Sequence, residues 1–183
     1  MKKKLFLIGL LCLVIIYVCS QNESNEKRIK EQIFLVMQEE NLKVNKIYHL
    51  ELIKNGVLFF YEQDGGVNAG LVKDVRGGWK CVMAGGRVDL NTGNDLHYCA
   101  LHFSDVSLSL IYGINKDPEI ERVVVETSGI KGIKQEKQAK IIQTEGGLRI
   151  WFNLYSGPLN SQIKVIGHTK SGKIFFLSKP EKL

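Results

Sequence analysis

Residues 55–86 read Asn-Gly-Val-Leu-Phe-Phe-Tyr-Glu-Gln-Asp-Gly-Gly-Val-Asn-Ala-Gly-Leu-Val-Lys-Asp-Val-Arg-Gly-Gly-Trp-Lys-Cys-Val-Met-Ala-Gly-Gly. Short runs of β-branched and aromatic residues alternate here with turn signals. Asn55-Gly56 is a strong hairpin signal, because both residues tolerate positive φ. Asp64-Gly65-Gly66, Gly77-Gly78 and Gly85-Gly86 read as further turns. Strands are expected over 44–54, 57–63, 67–75 and 79–83, and closely spaced strands of this kind form an antiparallel meander.

Working outward, 96–103 reads as one more strand after the polar loop 89–95. The later candidates are 107–112, 120–127, 139–144, 148–155, 162–169 and 173–177, with turns at 115–118, 145–147, 156–158 and 171–172. Regularly spaced strands and turns suggest a small β-sandwich-like half. Before the meander, Ile29, Ile33, Val36 and Met37 recur at helical spacing through Glu40. Ser24 or Asn25 can cap this helix, and Glu26 suits its positive first turn. The fold expected is mainly β: a meander, a sandwich-like half and one N-terminal amphipathic helix behind a signal segment.

The start of the chain has a different character. Lys2, Lys3 and Lys4 precede an apolar run, Leu5 to Val18, then Cys19, Ser20 and a polar stretch. This is the pattern of a bacterial export signal. Three outcomes are open. A peptidase cuts after Ser20; Cys19 is lipidated and becomes the mature N-terminus; or the segment stays as an anchor. As a helix, residues 5–20 span about 24 Å, short of the roughly 30 Å hydrocarbon core, although the lysines can snorkel. The organisation read from the sequence is 1–20 signal, 21–30 tether, 31–105 helix plus meander, and 106–183 the sandwich-like half.

Three of the chain's 25 basic residues and none of its 19 acidic ones lie in the signal, so the remainder carries +3 rather than +6. The basic balance is therefore no nucleic-acid footprint. Lys131, Lys134, Lys137 and Lys140 recur about every third residue, which suits either a solvated strand face or a weak attraction to anionic wall polymers and headgroups. Of four cysteines, Cys81 and Cys99 lie in the folded part. Outside the cell they are a possible disulfide, worth about 3 kcal/mol for that loop. Each also sits in an apolar run where a buried thiol is ordinary.

Residues 55–62, 69–73 and 77–86, with Ile111-Tyr112-Gly113-Ile114, Pro118-Glu119-Ile120, Val123 and Arg149-Ile150-Trp151-Phe152, resemble small exported or lipid-anchored proteins of Gram-positive, spore-forming bacteria. The resemblance covers most of residues 45–155. Its motifs are structural, so it implies export or lipid anchoring and brings no catalytic residue.

Tests for chemistry give little. His97 and His102, five apart on one expected strand, point to opposite faces. His97 and Cys99 share a face, where they could ligate zinc or activate a thiolate, or simply pair a core Cys with an exposed His. Asp89 to Asp95 places oxygens at alternate positions but departs from the EF-hand pattern, so an Asx turn is the plainer reading. Ser171-Gly172-Lys173 resembles the end of a phosphate loop without its upstream glycine. No Gly-x-Ser-x-Gly elbow occurs. Trp79, Trp151, Phe59, Phe60, Tyr61 and Phe152 supply aromatic surface for a core or an exposed binding patch.

The expectation is an exported cell-envelope protein without catalytic residues, metal or cofactor, which binds a protein or wall polymer, meets the membrane through its N-terminal segment and does not meet nucleic acid. One alternative is an extracellular hydrolase, which a deep polar cleft collecting Asp95, His97 or His168 would favour. The other is a structural subunit of an exported assembly, which an edge strand with exposed apolar residues would favour.

Overall fold

The computed structural model describes residues 25–183, except 55, 77, 92, 94–95, 129–133, 160–161, 179–180 and 183. The segment 1–20 read as an export signal, with Cys12 and Cys19, and Lys131 lie outside the described residues. The chain divides into two compact units, 1–42 and 43–183.

In the first unit, helix α1 spans residues 25–39, starting within 21–30 at the position where the sequence predicts a cap from Ser24 or Asn25. Ile33, Val36 and Met37 share one face and are buried, as their i, i+3, i+4 spacing requires. The helix stops where Asn41 takes φ 57°. Leu42 N–H then donates to the Met37 carbonyl at 2.9 Å and Asn41 N–H to the Gln38 carbonyl at 3.0 Å. This Schellman closure satisfies carbonyls that the helix end would otherwise leave open.

The second unit is antiparallel β throughout. Sheet A is the expected meander, in the order β1 (Lys46–Ile53), β2 (Gly56–Gln63), β3 (Gly66–Val75) and β4 (Gly78–Asp89). Sheet B takes the order β5-β6-β10-β9, from β5 (Tyr98–Phe103), β6 (Leu108–Asn115), β9 (Lys140–Gln143) and β10 (Arg149–Ser156). Sheet C takes the order β12-β11-β7-β8, from β7 (Ile120–Ser128), β8 (Lys134–Gln138), β11 (Gln162–Thr169) and β12 (Ile174–Leu177), and β13 (Glu181–Lys182) also pairs with β11.

Sheet B is the middle layer. Leu110, Tyr112, Ile114, Ile150 and Phe152 pack with Leu58, Phe60, Val67, Ala69 and Leu71 of sheet A. The alternate residues Ile111 and Trp151 pack with Val123, Val125, Ile163 and Val165 of sheet C. Side chains alternate across a strand, so β6 and β10 must be apolar on both faces, and their near-continuous apolar runs show it. Sheet C has one wet face: Lys164 pairs there with Glu126 at 3.3 Å.

Two sequence expectations change here. Gly85-Gly86 is not a turn. β4 runs through it to Asp89, and the register with β3 slips between Val67 and Ala69. Gly86, at φ 67°, sits in a β-bulge that bends the strand. A Cβ there would fall 2.8 Å from Cys99 Sγ. The bend turns the Gly86 carbonyl to the buried Tyr112 hydroxyl, which donates to it at 2.7 Å and ties sheet A to sheet B. The 105/106 division, secondly, does not separate sheets: β5 and β6, on either side of it, pair from Tyr98↔Gly113 to Phe103↔Leu108.

The strand β8 reads Lys-Gln-Glu-Lys-Gln and is exposed throughout. It carries no periodicity because it forms a sheet edge with no buried face. Lys134 and Lys137 lie on it, the solvated strand reading of the lysine series. At buried Ala139, whose N–H donates to the Val123 carbonyl at 2.8 Å, the chain leaves sheet C and continues as β9, an edge of sheet B.

Candidate functional site

An open groove of about 600 Å³ lies within the second unit, lined by Lys54, Gly56, Lys73, Asp74 and residues 104–107. Its size is that of a small-molecule or polymer-segment site. One wall comes from the β1–β2 corner and the end of β3. The other is a 3₁₀ turn, Ser104–Val106, which closes with Ser107 at φ 49° and the Ser107 N–H on the Ser104 carbonyl. That turn reverses the chain between β5 and β6 and leaves Ser104, Asp105 and Ser107 exposed. Lys73 Nζ stands 3.8 Å from Asp105 Oδ2 across the groove, a loose pair that spares donors and acceptors on both partners. The groove thus presents ammonium groups, carboxylates and hydroxyls together.

A second polar group closes the open side of the A/B core. Glu51, on edge strand β1, accepts from Lys140 Nζ of edge strand β9 at 2.7 and 2.9 Å. His49 Nε2 lies 3.1 Å from the same carboxylate, and Lys140 sits 5.8 Å from the Phe152 ring centre. Burial would raise the Glu51 pKa, but the hydrogen bonds and charges of Lys140 and His49 outweigh it and hold the carboxyl below its usual range. This cluster fastens two sheets at their edges.

The residues singled out from sequence stay apart. His97 is exposed just before β5, while Cys99 packs into the A/B core, and burial there pushes the Cys99 thiol up. Such a thiol is a poor nucleophile. The bridge between Cys81 and Cys99 is not formed. Cys81 pairs with Val72, and Val72 with Val57; these face away from sheet B, whereas Cys99 lies between the two sheets. Joining the sulfurs would require a side chain to cross sheet A.

His102 meets Ser109 rather than a metal, with Nδ1 2.9 Å from Oγ. The Ser109 hydroxyl donates to the Gly157 carbonyl at 2.6 Å. Its single proton is thereby committed, so His102 Nδ1–H is the donor and does not act as a base toward this serine. In the 89–95 loop, Asn91 N–H donates to Asp89 Oδ1 at 2.8 Å, the Asx turn; Asp95 lies outside the described residues. Among the described residues no group of three or more His, Cys, Asp or Glu is placed to hold a metal. Phe59, Phe60, Tyr61, Trp151 and Phe152 are buried and pack as core, so these residues form no exposed aromatic patch; Trp79 is half-buried.

The groove and the Glu51–Lys140 bridge had no sequence signal. Their members are separated by tens of residues, and only the layering of sheets brings them together. No protein-family model, no curated protein and no solved structure matches this chain.

Proposed function

We propose that this chain is an exported cell-envelope protein that binds its ligand without transforming it, and that the ligand is a hydroxyl-rich, charged segment of a wall polymer seated in the groove between β3 and the Ser104–Val106 turn. One observation carries the reading: the groove presents Lys54, Lys73, Asp74, Asp105, Ser104 and Ser107 toward solvent. Alternating donors and acceptors in an open cleft match a polymer that offers hydroxyls and charge along its length. The tightly bonded His102–Ser109 and Glu51–Lys140 groups support binding over catalysis, since their protons and lone pairs hold the fold together.

The test is co-sedimentation of the full chain, in mild detergent, with insoluble cell-wall material. Lys54→Ala/Lys73→Ala and Asp74→Ala/Asp105→Ala remove the two charge sets from exposed or half-exposed positions. Each double variant is expected to keep its circular dichroism spectrum and to bind roughly tenfold more weakly, as loss of charged hydrogen bonds implies. Unchanged sedimentation of both variants would remove the groove from the proposal. Release of soluble fragments from the wall material would replace binding with hydrolysis.

A further inference from the structure

The hairpin joining β11 to β12 is firmly built, with a polar tip and exposed apolar side chains just past the turn. Gly172 N–H donates to the Thr169 carbonyl and Thr169 N–H to the Lys173 carbonyl, both at 2.9 Å, while Gly172 supplies φ 83°. This three-residue loop matches the twist of its strands. Immediately beyond it the register slips: Gly167 pairs with Phe176 and His168 with Ile174. Phe175 is the extra residue of a bulge, and bulges re-aim side chains. Phe176 packs toward the B/C core, whereas Ile174 is 55 % and Phe175 47 % exposed.

Cations surround these two apolar groups. Lys170 and Lys173 are exposed on the same hairpin, and exposed Arg122 stands opposite His168 in the register. The acids on this part of β7 are exposed Glu121, beside Arg122, and Glu126, which is paired with Lys164. The opposite edge of the sheet, β8, has no exposed apolar residue at all. Exposed aromatic and aliphatic groups rimmed by lysines are complementary to an anionic lipid surface, where ammonium groups meet phosphates and apolar groups enter the acyl boundary. A second copy of the chain fits less well. β12 is four residues long, a short edge for strand pairing, and two-fold pairing would gather lysines from both copies.

We propose that the β11–β12 hairpin is a membrane-contacting site that seats on anionic lipid through Lys170, Lys173, Ile174 and Phe175, in addition to any attachment made by the N-terminal segment. Hydrogen exchange of the full chain in nanodiscs tests it. Amides of residues 170–176 are expected to exchange about tenfold more slowly in discs containing anionic lipid than in purely zwitterionic discs. Lys170→Gln/Lys173→Gln should return the exchange to the zwitterionic rate, and Phe175→Ser should do so in part. Equal exchange in both lipids would overturn the proposal. Protection that needs no anionic lipid and grows with protein concentration would also overturn it, and would assign the edge to self-association.

Discussion

Trp151 stands opposite Gly113 across β10 and β6, and its ring occupies the space a side chain at 113 would need. A Cβ on Gly113 would lie 2.6 Å from the Trp151 ring and 2.2 Å from the His97 carbonyl oxygen. The same arrangement recurs in sheet A, where Phe59 pairs with Gly70 and a Cβ on Gly70 would lie 2.3 Å from its ring. In each case a large aromatic lies over a glycine that lets it reach the sheet.

Gly113→Ala is therefore expected to destabilise by about 1–3 kcal/mol through overpacking, and Trp151→Ala by about 3–5 kcal/mol through the cavity it leaves. The two losses should be markedly non-additive, because the smaller residue at 151 makes room for the methyl group. Urea unfolding followed by circular dichroism measures both. Additive losses would show that the His97 carbonyl alone limits position 113.

The layering that places Trp151 was only partly legible. The glycine turns and period-two runs of 55–86 announced sheet A, and the apolar spacing of Ile33, Val36 and Met37 announced α1. The continuous runs Leu-Ile-Tyr and Ile-Trp-Phe announced strands but not that both their faces are covered, because adjacent apolar residues fit an exposed patch and a middle layer equally. β8 escaped notice for the opposite reason, having no apolar face. Gly85-Gly86 read as a turn because a glycine pair serves a bulge as well as a reversal. Of the groove, only isolated charged residues were visible, since Lys73 and Asp105 meet through the fold.

The Glu51–Lys140 bridge predicts an acid-sensitive step. The Glu51 carboxyl has a lower pKa folded than unfolded. Its contribution is thus complete above the ordinary value of 4.5 and is lost as pH falls below that value through the folded one. Lys140 is half-exposed, so solvent screening keeps the contribution to about 1 kcal/mol or less. Glu51→Gln should lower stability slightly at neutral pH and flatten the stability curve below pH 4.5. A curve of unchanged slope would mean that the bridge does not persist in solution.

Ser109 offers a test of the non-catalytic reading. It is 1 % exposed, and its proton serves the Gly157 carbonyl. A fluorophosphonate probe should therefore form no adduct at Ser109. Ser109→Ala leaves the Gly157 carbonyl without its hydroxyl donor, at a cost of about 1 kcal/mol, and amide exchange in residues 156–159 should accelerate. An adduct at Ser109 would reverse the assignment of His102 and revive a hydrolase.

The two thiols supply the last prediction. Sheet A separates Cys81 from Cys99, so the folded chain should carry both sulfurs reduced. Burial in the A/B core pushes the Cys99 thiol up, so the reactive thiolate is scarce and iodoacetamide should reach this residue only slowly while the chain is folded. Unfolding in urea without reductant should expose both to alkylation, giving two added groups on the peptides that contain residues 81 and 99. Ser substitution at Cys99 should change the folded-state labelling little, because the site contributes little to it. If the unfolded, unreduced chain refuses alkylation at both positions, the sulfurs are bridged. β4 and β5 must then approach differently from the arrangement in which Gly86 rests on Cys99 and Tyr112.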